Sequence, residues 1–344
     1  WCRHFKNNFI FDLLRLPMIF LNQWLLPILF FISGLFTYYA LGSRSLGRFI
    51  AERYLRLAIP LLVGMLLIVP PQVYFERLAD GDFVGSYFEF YTTVAFQGIY
   101  PEGNFSWHHL WFLPYLFLFS LVLAPVFVQL RKSGNRFVQR IKNSIAKPLG
   151  LYIFIIPIYL IEVFIEPFFP VNHALVGDWY AIAYYLVLFF TGFLLISSGD
   201  TYWTSLENSK GKALGIGAFS FTALIIIWLF FEDGLVIHLT EAFFKMTNLW
   251  SWILVLFGYG AQFLNRPSST IAYANRAVYP FYILHQTITV ALAYYLMDSS
   301  WGLLPKATLL VLGTFGISWL LYHFVILPLF FLHPLFGLKK KKAH

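Results

Sequence analysis

Nine apolar segments, each long enough to cross a bilayer, run through this chain, and nothing constrains its fold more tightly. Hydrocarbon offers no water to a backbone, so a spanning segment must satisfy its own N–H and C=O groups, as a helix of ~20 residues does over ~30 Å. Segments 17–41, 57–75, 109–129, 149–168, 179–198, 213–231, 248–264, 277–297 and 307–331 meet that demand. They predict an all-α, polytopic transmembrane bundle, read as one domain over residues 1–344. With 59% hydrophobic and only 12% charged residues, the composition excludes a soluble domain.

The charges then sort by gap. Eighteen of the 24 Lys and Arg residues fall in alternate gaps, and 13 of the 16 acidic residues, counting Asp12 and Glu162, belong to the others. The positive-inside rule assigns the basic gaps to the cytoplasm. These are 42–56 (with Arg44, Arg48, Arg53 and Arg56), 130–148, 199–212 (Lys210, Lys212), 265–276 (Arg266, Arg276) and the tail, Lys339 to Lys342. A multi-pass protein with a cytoplasmic C-terminus follows. The net charge of +8 is divided among membrane-flanking loops, so it is no nucleic-acid stripe. A lone Cys2 leaves no intrachain disulfide and no cysteine metal site, and no metal is expected. Because the chain begins at Trp1 on the external side, one further helix is expected upstream, ten in all.

Polar groups inside hydrocarbon are costly and therefore candidates for function, with helix-to-helix hydrogen bonding as the competing explanation. Asn22, Ser33 and Thr37 fall near one face of the first span. Trp107-His108-His109-Leu110-Trp111 marks the external mouth of the third, where a histidine suits proton exchange with a hydroxyl near neutral pH, or else sits among belt tryptophans. In the eighth span Tyr282, His285, Gln286 and Thr289 lie at i, i+3, i+4 and i+7, a polar stripe that must face protein or a water-filled cavity. On the cytoplasmic side Arg53 and Arg56 share a helical face at i, i+3. Their planar forks suit phosphate oxygens, whether of a donor such as coenzyme A or of lipid headgroups.

Other patterns read as structural. His173 and Asp178, four residues between them, match an acyltransferase pattern by chance in a short external loop. Glu162 and Glu166 read as an interfacial pair facing water, and Gly215, Gly217, Gly258 and Gly260 as close-packing positions.

In this order and topology, five landmarks resemble the membrane-bound acyltransferase family 3, and most of all its glucan-modifying, glucan succinyltransferase-like branch. They are Phe30-Phe31-Ile32-Ser33-Gly34, Arg53-x-x-Arg56 running into Ile59-Pro60, His109-Leu110-Trp111-Phe112-Leu113, Gly177-Asp178-Trp179, and Tyr279-Pro280-x-Tyr282-x-Leu284-His285. The resemblance implies ten helices in a bacterial inner membrane and acyl-CoA bound from the cytoplasm. It also implies delivery of the acyl group to a carbohydrate hydroxyl on the other side. It associates the paired arginines with coenzyme A. The family's catalytic histidine lies on a first helix expected upstream of Trp1, and His4 does not take that role.

The expectation is therefore O-acyl transfer of a short acetyl or succinyl group from acyl-CoA to a glycan, beside envelope glycan-synthesis proteins. Arg53 and Arg56 hold the donor, with no permanently bound cofactor. His109 and His285 handle protons, and Ser33, Tyr282 and Gln286 line the passage. The competing expectation is a carrier for a polysaccharide or lipid-linked intermediate, without acyl transfer. A polymerase would need a larger external loop than gap 76–108.

Overall fold

The computed structural model describes residues 12–42 and 44–338; Trp1, Cys2, His4 and Lys339 to Lys342 lie outside them. Among the described residues the structure is helical without a strand, as the apolar segments require. In chain order the helices are α1 (Asp12–Leu41), α2 (Leu46–Asp80), α3 (Tyr87–Thr93), α4 (His108–Leu130), α5 (Arg136–Ile145) and α6 (Gly150–Phe164). Then come α7 (Trp179–Ser197), α8 (Asp200–Phe230), α9 (Leu235–Phe263), α10 (Ser269–Met297), α11 (Leu303–Ile326) and a 3-10 turn, Phe330–Phe336. Local chemistry sets several starts. Asn135 Oδ1 accepts from the Phe137 and Val138 N–H groups, and Ser86 and Ser268 cap α3 and α10 in the same way.

Among the described residues six helices, α1, α2, α4, α7, α8 and α11, are long and apolar enough to cross a membrane. The other three expected spans fall in helices that do not combine that length and apolarity. α6 is shorter, and α9 and α10, at 29 residues each, are diluted by side chains such as Asn248, Gln262, His285, Gln286 and Thr287. The gaps are also more ordered than loops: α8 begins at Asp200 and α10 at Ser269, so most of 199–212 and 265–276 is helix.

The chain forms two compact units. One comprises 51–117 and 267 onward among the described residues, and holds most of α2, α3, the start of α4, α10 and α11. The other comprises 12–50 and 118–266, with α1, the rest of α4 and α5 to α9.

In the second unit α1 crosses α7 at two glycines. A methyl group on Gly34 would lie 1.8 Å from Phe189 O, and one on Gly192 would lie 2.1 Å from Phe31 O. Each glycine therefore lets the other helix's backbone approach, the means by which helices gain packing in lipid. Around the crossing Phe30, Phe31, Phe189 and Phe193 are fully buried, and Phe127 stacks on Phe193 with centroids 3.7 Å apart. Of the four glycines expected to be close-packing positions, Gly217 and Gly258 are tightly approached, by Ser251 and Lys210, whereas Gly215 and Gly260 face open space.

Glu162 does not face water. Its carboxylate is buried and receives both the Tyr180 hydroxyl and the Lys245 ammonium. A charge withdrawn from water persists only where such partners replace hydration, and α7 and α9 supply them.

The same substitution therefore has opposite results in different places. Gly34→Ala and Gly192→Ala overpack the crossing and should each cost about 1–3 kcal/mol. Gly215→Ala and Gly260→Ala should leave stability unchanged or slightly raised. Thermal unfolding of the detergent-solubilised variants tests the contrast.

Candidate functional site

The first unit is organised by prolines. Pro60, Pro70 and Pro71 sit inside α2, and a proline there removes the N–H that would serve the carbonyl four residues earlier. The helix answers with two π turns, Tyr54–Ala58 and Gly64–Ile68. Among the carbonyls that lose their usual donors are those of Arg56 and Ile68. Arg56 O faces Pro60, which has none. Ile68 O loses the Gln72 N–H, which bonds to Val69 O at 2.8 Å.

Side chains of α10 supply what is missing. The Tyr279 hydroxyl donates to Arg56 O at 2.7 Å and the Thr287 hydroxyl donates to Ile68 O at 2.6 Å. An unpaired carbonyl in apolar surroundings is expensive, so these bonds tie α10 to α2 at two heights. Gly337 completes the lower contact. Its carbonyl accepts from Arg56 Nε at 3.3 Å, and a methyl group on it would lie 1.9 Å from the Tyr279 ring.

At the upper contact stand the histidines. His109 Nε2 lies 3.0 Å from the carbonyl oxygen of Ile283, which can only accept, so that nitrogen carries the proton. His109 Nδ1 is then an acceptor, 3.3 Å from the Gln72 Nε2 donor. The Tyr282 hydroxyl donates to His109 O at 2.6 Å. His285 meets His109 edge-to-face, ring centroids 5.3 Å apart at 89°. Its Nδ1 lies 2.8 Å from Tyr282 O and must be the protonated nitrogen, which leaves the lone pair on Nε2. Among the described residues His285 Nε2 has no hydrogen-bond partner. Of the two rings, the one able to accept a substrate proton is therefore His285.

The expected residues divide by position. His109, His285 and Tyr282 are brought together, whereas Gln286, beside them on α10, is held by other contacts. Ser33 belongs to the other unit and spends its hydroxyl on Leu29 O at 2.7 Å, as Thr37 does on Ser33 O. Arg53 closes the α-helical start of α2, but Arg56 lies in the first π turn. The wider turn moves it off the shared face that α-helical i, i+3 spacing predicts, and Pro60 is the cause. Arg56 is exposed and Arg53 half-buried.

From the sequence, Gln72, Thr287 and Glu76 carry no expected role at the site. The signal for the first two was the double proline at 70–71, which disturbs the backbone hydrogen bonds of the turn around it. Buried Glu76 accepts from the Tyr100 hydroxyl at 2.8 Å, with His108 Nε2 at 3.7 Å. Beside it Arg77 gathers the following loop by donating to Asn104 Oδ1, Pro101 O and Gly103 O. Among the described residues no cluster of His, Cys, Asp or Glu could hold a metal ion.

The His173 and Asp178 pair is structural. Asp178 is buried and accepts from the backbone N–H groups of Asn172 and His173, at 3.3 and 2.7 Å, closing the loop that leads into α7.

A model of the acyltransferase domain family (Acyl_transf_3) matches residues 2–323. Among curated relatives, the glucans biosynthesis protein C of Salmonella schwarzengrund (strain CVM19633) is 25% identical over 288 residues, covering 80% of this chain and 72% of that protein. The protein of the same name from Salmonella heidelberg (strain SL476) is 24% identical with the same coverage. No solved structure matches the chain.

Burial pushes the His173 imidazole down to about 4, against the opposing pull of Asp178. The folded value thus lies below the ~6.5 of an unfolded chain. Between pH 6.5 and 4 the unfolded state takes up a proton that the folded state refuses, so stability falls as pH falls. In His173→Gln this part of the acid dependence should disappear, as melting temperatures measured across that window would reveal.

Proposed function

The chain belongs to the acyltransferase domain family, and from that premise we propose that it is an integral membrane O-acyltransferase moving a short acyl group, acetyl or succinyl, from acyl-CoA to a glycan hydroxyl. The observation that carries the reading is the facing pair His109 and His285, in which only His285 Nε2 has a lone pair that the protein does not use. The names of the relatives point to a glucan or another envelope glycan as acceptor.

In this mechanism the acceptor hydroxyl gives its proton to His285 Nε2 while its oxygen attacks the thioester carbonyl carbon. The tetrahedral intermediate collapses, the C–S bond breaks, and the coenzyme A thiolate leaves and is protonated, with the proton returned from His285. An ester and free coenzyme A result. Tyr282 and Gln286 border the path of the acyl group.

Arg53 and Arg56 hold the donor's phosphates. The alternation of basic and acidic gaps supports a cytoplasmic location for these arginines and for the C-terminus, with the acceptor on the opposite face of a bacterial inner membrane. Sixteen residues separate Arg56 from Gln72 along α2, roughly 24 Å of helix. The extended arm of coenzyme A would have to bridge that distance, most of the ~30 Å hydrocarbon layer, to bring the thioester to the histidines. Envelope glycan-synthesis proteins would supply the acceptor.

Detergent-solubilised protein given acetyl- or succinyl-CoA and a glucan should release free thiol in step with ester formation. His285→Gln should lower kcat by about 10²-fold or more. Arg53→Ala and Arg56→Lys should raise the KM for acyl-CoA about tenfold or more with kcat nearly kept, since charge-assisted bonds contribute about 1.5–3 kcal/mol and lysine lacks the fork. Absence of acceptor-dependent thiol release would overturn the proposal and favour a carrier.

A further inference from the structure

One buried amide connects the two tied helices to the histidine pair. Gln72 is 1% exposed. Its Nε2 lies 2.7 Å from Thr287 Oγ1, 3.3 Å from His109 Nδ1 and 3.4 Å from Ile68 O. The sense of every bond follows from one carbonyl. Ile68 O can only accept, so the single Thr287 proton goes to it. Thr287 Oγ1 then offers Gln72 a lone pair, and Gln72 must present its NH₂ there. One N–H goes to Thr287, and the other is shared between His109 Nδ1 and Ile68 O. His109 Nδ1 accepts, and its Nε2–H donates to Ile283 O at 3.0 Å.

The reversed amide fails this test. It would set Gln72 Oε1 against Ile68 O and against a hydroxyl whose proton is already committed. The observed sense leaves Oε1 buried without a partner among the described residues, a desolvation that nothing offsets. The relay, and not the satisfaction of the amide itself, holds Gln72 as it stands.

We infer that Gln72 is a positioning residue, set by Thr287, that holds His109 as a neutral ring with its proton on Nε2, so that His285 alone presents an unengaged ring nitrogen to the reaction. The hydrogen-bond relay is independent of the reaction, whereas its catalytic consequence rests on the acyl-transfer reading. A neutral, fully engaged His109 serves as a fixed wall for the base and does not compete with it for the hydroxyl proton.

The test reads the ring nitrogens directly. In protein carrying ¹⁵N-labelled histidine, with His109 assigned by its loss in His109→Asn, the wild type should show a protonated Nε2 and an unprotonated, hydrogen-bonded Nδ1. Gln72→Leu should move the Nδ1 signal to that of a free or a protonated nitrogen. Thr287→Val does not touch His109, yet by removing the lone pair that holds the amide in place it should shift the Nδ1 signal toward that of a free nitrogen. Melting temperature and gel-filtration profile establish that each variant is folded, and Thr287→Val stands in if Gln72→Leu is not.

Turnover forms the second arm. Gln72→Leu should lower kcat about tenfold or more with the KM for acyl-CoA unchanged. A proton on Nδ1 in the wild type, or His109 signals unaltered in both variants, overturns the relay. Altered signals with unchanged kcat overturn the positioning role. A wild type with the expected ring signals and no acyl transfer refutes the proposed reaction alone.

Discussion

A carbonyl without a donor inside an apolar helix is the constraint on which the first unit depends. Pro60, Pro70 and Pro71 remove three N–H groups from α2, and no water is at hand to replace them. The Tyr279 and Thr287 hydroxyls, eight residues apart on α10, donate to the carbonyls of Arg56 and Ile68 in this disturbed stretch. The repair of the helix is also what builds the site, because the same two bonds set the height of α10 against α2. His285 thereby comes to His109, and Gln72 comes to both. Each of the three π turns among the described residues lies in this unit, where a widened turn moves a side chain off its α-helical position.

The second unit solves a different problem. Lipid gives apolar helices little reason to associate, so cohesion comes from close backbone approach at Gly34 and Gly192 and from fully buried aromatic rings. Its buried polar groups are paired by the protein itself. Glu162 is held by Tyr180 and Lys245, Trp250 Nε1 donates to Leu151 O at 2.8 Å, and Asp178 closes the loop before α7. These side chains are spent on structure. Ser33 illustrates the point, since its hydroxyl is bonded within its own helix even though the Phe30 to Gly34 motif belongs to the family resemblance.

Much of the fold was legible because hydropathy is additive along a chain. The spans of α1, α2, α4, α7, α8 and α11 could be read from local composition alone. α9 and α10 read less cleanly, since their amides, hydroxyls and rings are tolerated only by virtue of what they pack against. At the site the sequence marked His109, Tyr282 and His285 as unusual, because polar side chains on apolar helices need a reason. It gave no role to Gln72 or Thr287, whose importance arises from their pairing across 215 residues and from Ile68 O, 219 residues before Thr287.

From the sequence alone came the helical class, the family resemblance and the alternation of charge, all properties that reside in short segments and need no partner. Only the tertiary structure decided which histidine keeps a usable lone pair, that Arg56 leaves the face it would share with Arg53, and that Glu162 is buried with a cation. These depend on hydrogen-bond direction and burial. A proton has one donor and must find one acceptor, and in this chain the acceptors that determine its position, Ile68 O, Tyr282 O and Ile283 O, are backbone atoms whose availability the packing sets.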